Sequence, residues 1–437
     1  MKYAAITMVA IFFILTFFVI GMKHPDDTLE EKEIFNDEVR AVYVSYIELN
    51  SYIKNKSESV SKENINKILD NVLKNGFNTV ILHVRPFADS IYKSDYFPVS
   101  ETILNDKGNI PNYDVLKYFI DEAHKRNLRL EAWVNPFRIS NVTDSTKLPV
   151  NSPYYKFANT NDAKVLDNGI YLNPASSDVQ QLIINGIKEI ITNYDVDGIH
   201  FDDYFYPDKT IDLKSFEEYQ KNGGKLTIDE YRLYNVSNLI KNTYSMIKSI
   251  NKNILFGIAP EGNIENNYDK NYIDVRKILS EEGYVDYIMP QIYYGFKNEY
   301  KPFIDTLNVW NNLIETDSIK LIPALAFYKV GVFDKYAGSG SNEWIEKFDI
   351  IKKQVLISRN VSKYGGFSLF RYDFIFNNEK YNDNSIKEFD NLKGIFGDKN
   401  KKWGNSLFKL KKNKKNFIID IYIVKWVMIW KIEKVLP

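Results

Sequence analysis

The chain has 437 residues, 44% of them hydrophobic, and balances 57 basic against 57 acidic side chains. That length covers one large domain or two medium ones, and the even charge argues against a polyanionic partner such as nucleic acid. The absence of cysteine excludes disulfides, thiolate nucleophiles and thiolate metal sites, and four scattered histidines (24, 83, 124 and 200) argue against a zinc centre. No metal or cofactor is expected. Aromatic residues make up 15% of the chain, which suits a sugar-binding cleft or an aromatic-rich core equally.

The chain opens with Lys2 and the apolar run "YAAITMVAIFFILTFFVIG". A positive start followed by such a run reads as an export signal or an uncleaved membrane anchor over residues 1–23. A polar, acidic linker follows at 24–36. The expected location is therefore extracytoplasmic, either membrane-anchored or secreted.

Strand-like apolar runs then alternate with amphipathic stretches. The strand segments are "EVRAVYVSY" (38–46), "NTVILHVR" (78–85), "LRLEAWVNP" (128–136), "VDGIHFDDY" (196–204), "ILFGIAPEG" (254–262), "VDYIMPQIYY" (285–294), "KLIPALAFY" (320–328) and "YGGFSLFRYD" (364–373). Between them, Ser61 reads as an N-cap ahead of Ile65, Ile68, Leu69 and Val72, with Gly76 as the stop. Thr227 and Glu230 have capping-box spacing ahead of Leu233, Val236, Leu239, Ile240 and Ile247. Residues 112–127, 177–194, 299–315 and 342–360 have the same helical periodicity. Helical crossovers between buried strands imply parallel pairing. Eight such units predict an α/β fold, a (β/α)8 TIM barrel over 37–397. A doubly wound sheet is the alternative, but no glycine-rich nucleotide fingerprint follows any strand. The tail, 398–437, is basic and then apolar, and its role is open.

Polar residues gather at the C-terminal ends of the strand segments: Arg85, Asn135, Arg138, Asp202, Asp203, Glu261, Gln291, Tyr293, Arg371 and Asp373. Barrel enzymes carry their sites at that face. Any strand leaving a core must end in polar residues, but polar ends on six strands point to a site.

The stretches "HVRPFADSIYKSDYFPVS", "EAWVNPFRIS", "VDGIHFDDYFYP", "FGIAPEG" and "VDYIMPQIYY" occur in that order. Together, over about residues 37–375, the chain resembles the glycosyl-hydrolase-like family 10 proteins. The resemblance implies a (β/α)8 barrel that hydrolyses glycosidic bonds, with bacterial cell-wall glycan as its polysaccharide partner. Its motif positions fall on Arg85, Asp89 and Tyr92, on Trp133, Asn135 and Arg138, on Asp202, Asp203 and Tyr204, and on Gln291 and Tyr293. Glu261 departs from the pattern, since a small or apolar residue is common there.

Glycoside hydrolysis uses two carboxyl groups, one to protonate the leaving oxygen and one to attack or to activate water. Neighbouring strand residues face opposite ways, so Asp202 and Asp203 share a face only if the strand has already broken. Asp202, aligned with His200 and Tyr204, is the preferred reacting carboxylate, with Asp203 orienting loop groups or Arg138. Glu261 and Asp89 rank level as the second carboxylate, ahead of Glu131 and Asp373. Trp133 suits stacking on a sugar or packing in the barrel. Arg85 and Arg138 suit the lactyl carboxylate of a muramyl sugar, or bridges to Asp89 and Asp203. Asn135 and Gln291 suit hydroxyl or acetamido groups, His83 and His200 suit satisfied core positions, and Tyr293 suits a subsite wall or the barrel lining. A non-catalytic glycan-binding barrel is the competing reading.

Overall fold

Strand β1 (Val39–Val44) sets the pattern for the sheet. Val42 and Val44 join the apolar layer under the helices, whereas Tyr43 points inward to His200 and Met289. The structure is a computed structural model describing residues 38–396, apart from positions 106, 204, 378, 380 and 381. The 1–23 segment, the 24–36 linker, the 398–437 tail and Tyr204 lie outside the described residues. Among the described residues no helix is long and apolar enough to cross a membrane.

Each predicted strand segment contains a strand. After β1 come β2 (Thr79–Arg85) and β3 (Arg129–Val134). A small antiparallel sheet of β4 (Arg138–Ser140), β5 (Ala163–Leu166) and β6 (Gly169–Leu172) follows, which the sequence reading did not anticipate. The parallel series resumes with β7 (Gly198–Phe201), β8 (Leu255–Ile258) and β9 (Tyr287–Ile288). It ends with β10 (Lys320–Leu321), β11 (Ala324–Leu325) and β12 (Gly366–Leu369).

The large sheet runs β10-β9-β8-β7-β3-β2-β1-β12-β11, with every pairing parallel. Its two end strands are consecutive pieces of one extended segment, split at Ile322 and Pro323. The Ile322 and Ala324 amides donate to Ile288 and Pro290 on one side, and the Ser368 and Phe370 amides donate to Pro323 and Leu325 on the other. Hydrogen bonds therefore run round the whole sheet. Sequence neighbours pair throughout, which is not the reversing order of a doubly wound sheet.

Helices fill the connections, including Glu58–Lys74, Val115–His124, Ser177–Asn193, Ile228–Ile250, Phe303–Leu313 and Ile350–Ser358. The Thr227–Glu230 capping box forms. The first of these helices is capped by Ser57 instead of Ser61, which is buried one turn further in. Ser57 presents the better-placed oxygen, accepting from the Val60 amide. The stretch 342–360 divides into Glu343–Glu346 and Ile350–Ser358.

Inside the ring, space is set by glycine where large side chains lie. A Cβ at Gly257 would stand 2.1 Å from the Tyr287 ring, so β8 has no side chain there and Tyr287 occupies the interior.

Candidate active site

The C-terminal strand ends open into a cleft of about 370 Å³. Trp133, Asn135, Arg138, Asp202, Asp203, Glu261, Gln291 and Tyr293 all line it. These eight of the thirteen candidate residues come from the ends of β3, β7, β8 and β9 and the loops that follow.

The two aspartates share the cleft because β7 ends at Phe201 and the backbone turns over at Asp203, whose φ is +71°. Aspartate tolerates this left-handed conformation better than most residues. Asp202 is only 6% exposed. Its Oδ1 accepts from the Asp203 amide at 2.6 Å and from Gln291 Nε2 at 2.8 Å. Burial lifts its carboxyl from the ordinary 3.8 to about 7, and the nearby Asp203 charge pushes the same way. Asp203 is gripped by Arg138, with Nη2 donating to Oδ1 at 2.8 Å and Nε standing 2.6 Å from Oδ2. The pair of carboxyls therefore divides into one buried group near neutrality and one tied into a two-point ion pair.

Glu261 follows β8, between the ends of β7 and β9, and forms an isolated bridge with Gln291. Its Oε2 accepts from Asn266 Nδ2 at 3.0 Å, and its backbone is clamped by Asn267 in both directions, at 3.1 and 2.7 Å.

Trp133 lies flat on His83, with ring centroids 3.6 Å apart, and donates through Nε1 to Asn135 Oδ1 at 2.9 Å. Asn135 in turn donates to the Pro86 carbonyl at 3.1 Å. His83 also lines the cleft. It is 1% exposed, and neither ring nitrogen makes a hydrogen bond among the described residues. His83 thus takes the expected core position, covered by the Trp133 ring with both nitrogens closed off from the cleft, although no hydrogen-bond partner for them is found among the described residues. Burial holds it far below the usual histidine range, so it stays neutral.

Four predicted residues lie elsewhere. Arg85 should face inward by alternation from His83, but the register with β3 shifts between them. The slip turns Arg85 to the outer face, over the Phe97 ring at 4.3 Å and against Gly186 of the Ser177–Asn193 helix. It is 1% exposed, with both terminal nitrogens closed off from solvent, so it does not meet a cleft ligand. Tyr92 is buried behind the sheet too, packed edge-on to Tyr194 at 5.5 Å. His200 lies one layer below the cleft, fully buried, with ring nitrogens 2.9 Å from the Tyr43 and Tyr287 hydroxyls. Burial lowers it to about 3, so it is neutral. Asp89 lines a neighbouring cavity, and burial raises its carboxyl to about 6.

Neither lower-ranked carboxylate lines the cleft. Glu131 accepts from Tyr287 at 2.5 Å and from Arg129 at 2.9 Å in the barrel interior. Asp373 accepts from Tyr52 at 3.0 Å, beside the buried Glu48–Arg371 ion pair. Glu48 had escaped notice; it closes the capping box of the Tyr46–Tyr52 helix, whose Ser45 reaches the cleft.

The sequence reading also missed Tyr46, Asn271, Tyr328, Phe370 and Phe374 as cleft residues. Tyr46 and Tyr328 are the last residues of their quoted strand segments, so a count of strand-end aromatics would have found them. Asn271 comes from a loop that carries no such signal.

Parallel strands, a helical outer layer and a carboxylate-bearing cleft at the C-terminal strand ends define an α/β barrel of the glycosidase kind. The chain belongs to the Glycosyl hydrolase-like 10 family, whose model matches residues 38–338. It is 33% identical over 343 residues to "Glycosyl hydrolase YngK" of Bacillus subtilis, covering 73% of this chain and 66% of that protein. It is 31% identical over 332 residues to "Glycosyl hydrolase DigH" of Escherichia coli K12, covering 70% of this chain and 74% of that protein. The chain thus spans about two thirds of the Bacillus relative's length. Its fold is similar to the PgaB (BpsB) glycoside hydrolase domain of Bordetella bronchiseptica, with TM-score 0.52 at 12% identity, over 82% of this chain and 99% of that one.

Proposed function

We propose that this chain is a glycoside hydrolase acting on an amino-sugar glycan of the bacterial cell wall, outside the cytoplasm. The observation that carries the reading is Asp202. It is a cleft carboxyl lifted to about 7 by burial, so about half of the molecules carry a proton there at neutral pH that can pass to a leaving glycosidic oxygen. Gln291 holds its Oδ1, leaving Oδ2 as the donor to the sugar oxygen. Glu261 is the second carboxylate, attacking the anomeric carbon or drawing a proton from water. Asp89 is set aside because it lines the other cavity. Asp203 and Arg138 shape the wall beside Asp202, and this pairing occupies the arginine that suited a lactyl carboxylate. Asn135 and Tyr293 offer polar contacts to hydroxyl and acetamido groups.

The wall-glycan substrate rests on family membership and on the apolar 1–23 run, which suits export or membrane anchoring. The competing reading, a glycan-binding barrel without turnover, keeps the cleft but has no use for a protonated Asp202. Incubating the full chain with peptide-free wall glycan strands and following fragment release by mass spectrometry separates the two. Fragments from the parent and none from Asp202→Asn establish hydrolysis. Strand binding with no fragments from either favours the binding module.

A further inference from the structure

A second cavity, of about 360 Å³, opens beside the cleft and shares Tyr46 with it. That volume is in the range of small-molecule sites. Its walls are the loop after β2 (87–102) and the segment 139–152, which leads away from β3. Both leave from the same face of the barrel as the cleft. At the junction the Tyr46 and Phe87 rings meet edge to face, with centroids 5.4 Å apart. A chain leaving the cleft over Tyr46 enters this cavity directly.

The lining has the chemistry of a sugar site. Ser100 and Thr102 form a buried hydroxyl pair at 3.0 Å. Asn50 and Asn141 present exposed side-chain amides at the rim. The two lysines are each matched by a carboxylate, Lys54 by Glu101 and Lys147 by Asp144, both at 3.6 Å. That leaves Asp89, half-buried, its Oδ1 accepting from the Phe87 amide at 3.2 Å. With no uncompensated cation among the described lining residues, the cavity does not suit a phosphate or a uronate. Hydroxyls, amides, a carboxyl acceptor and ring edges suit the hydroxyl and acetamido groups of uncharged sugars.

We infer that this second cavity is a distal subsite that binds one uncharged acetamido-sugar unit of the strand whose reacting bond lies beside Asp202, with the carboxylate-bearing muramyl units left outside it. The inference rests on the glycan reading of the cleft. It gives Asp89 a binding role, as a hydrogen-bond acceptor to the strand, in place of the catalytic role its sequence position suggested. It makes the protein a reader of chain length, because only a strand long enough to pass Tyr46 fills both cavities.

The test is titration calorimetry on full-length chain carrying Asp202→Asn, which stops turnover, with a wall disaccharide and with longer peptide-free strands. The longer strands should bind about tenfold more tightly than the disaccharide. Val142→Trp, at an exposed residue of the cavity wall, should bring that ratio to about one by filling the space. Asp89→Asn should lower it without changing the volume. Equal affinities in the unblocked chain, or a ratio untouched by Val142→Trp, overturns the subsite. Binding that grows with strand length in a parent that releases no fragments sinks hydrolysis and leaves the subsite standing. No binding of any strand overturns both.

Discussion

The cleft and the layer just beneath it are built from the same kinds of residue and behave oppositely. In the lower layer a hydrogen-bonded series runs from Arg129 through Glu131, Tyr287 and His200 to Tyr43. With Tyr287 donating to Glu131, His200 donates through Nδ1 and accepts at Nε2 from Tyr43. Each side chain of that series is hydrogen-bonded to its neighbour in it. In the cleft, Asp202 keeps one oxygen without a protein partner among the described residues. Depth along the strand axis decides which polar residues hold the barrel together and which are left for a ligand.

The sharpest way to break that contrast is Asp202→Asn. The amide keeps the size but loses the acidic proton, and kcat should fall about a thousandfold, roughly 4 kcal/mol of barrier, while strand binding persists. A loss of only a few-fold would mean that another group supplies the proton. Glu131→Ala should act on stability instead. It strands the Tyr287 hydroxyl and the Arg129 guanidinium, and urea unfolding should show a loss of about 3 kcal/mol. An unchanged unfolding midpoint would remove Glu131 from the structural layer.

The two layers also differ in their response to pH. The folded state holds the Asp202 proton up to about 7, whereas the unfolded chain releases it near 3.8. Stability therefore falls as pH rises through that window, and the penalty is complete above it. Asp202→Asn should melt a few degrees above the parent at pH 8 and lose that advantage at pH 4. Turnover of the parent should decline as pH passes about 7, where the proton donor is lost. Calorimetric melts and a pH–rate series read both limbs. Tyr43→Phe is the smallest perturbation, leaving His200 Nε2 without its donor and costing about 1 kcal/mol with the pH–rate profile unmoved. A shifted profile would tie the lower layer to the chemistry.

The eight strands and most crossover helices were legible because period-two and period-3.6 patterns report local geometry. The small antiparallel sheet at 138–172 was not, since its strands are three or four residues long and sit in a loop. Most strand-end polar residues reached the cleft because strands in a parallel ring emerge together. Arg85 and His200 did not. One is displaced by a register slip that alternation cannot foresee, and the other stops one residue pair short of the rim.

The eight barrel strand segments, their parallel pairing and the family follow from the sequence, since these rest on repeated local patterns and on motifs in a fixed order. Tertiary structure alone decided which carboxyl is buried, which is gripped by Arg138, and that Asp89 belongs to a separate cavity. Those distinctions depend on desolvation and on partners from distant strands. Asp202 and Asp203 are adjacent in the chain, yet Gln291, 89 residues away, and Arg138, 65 residues away, give them different chemistry.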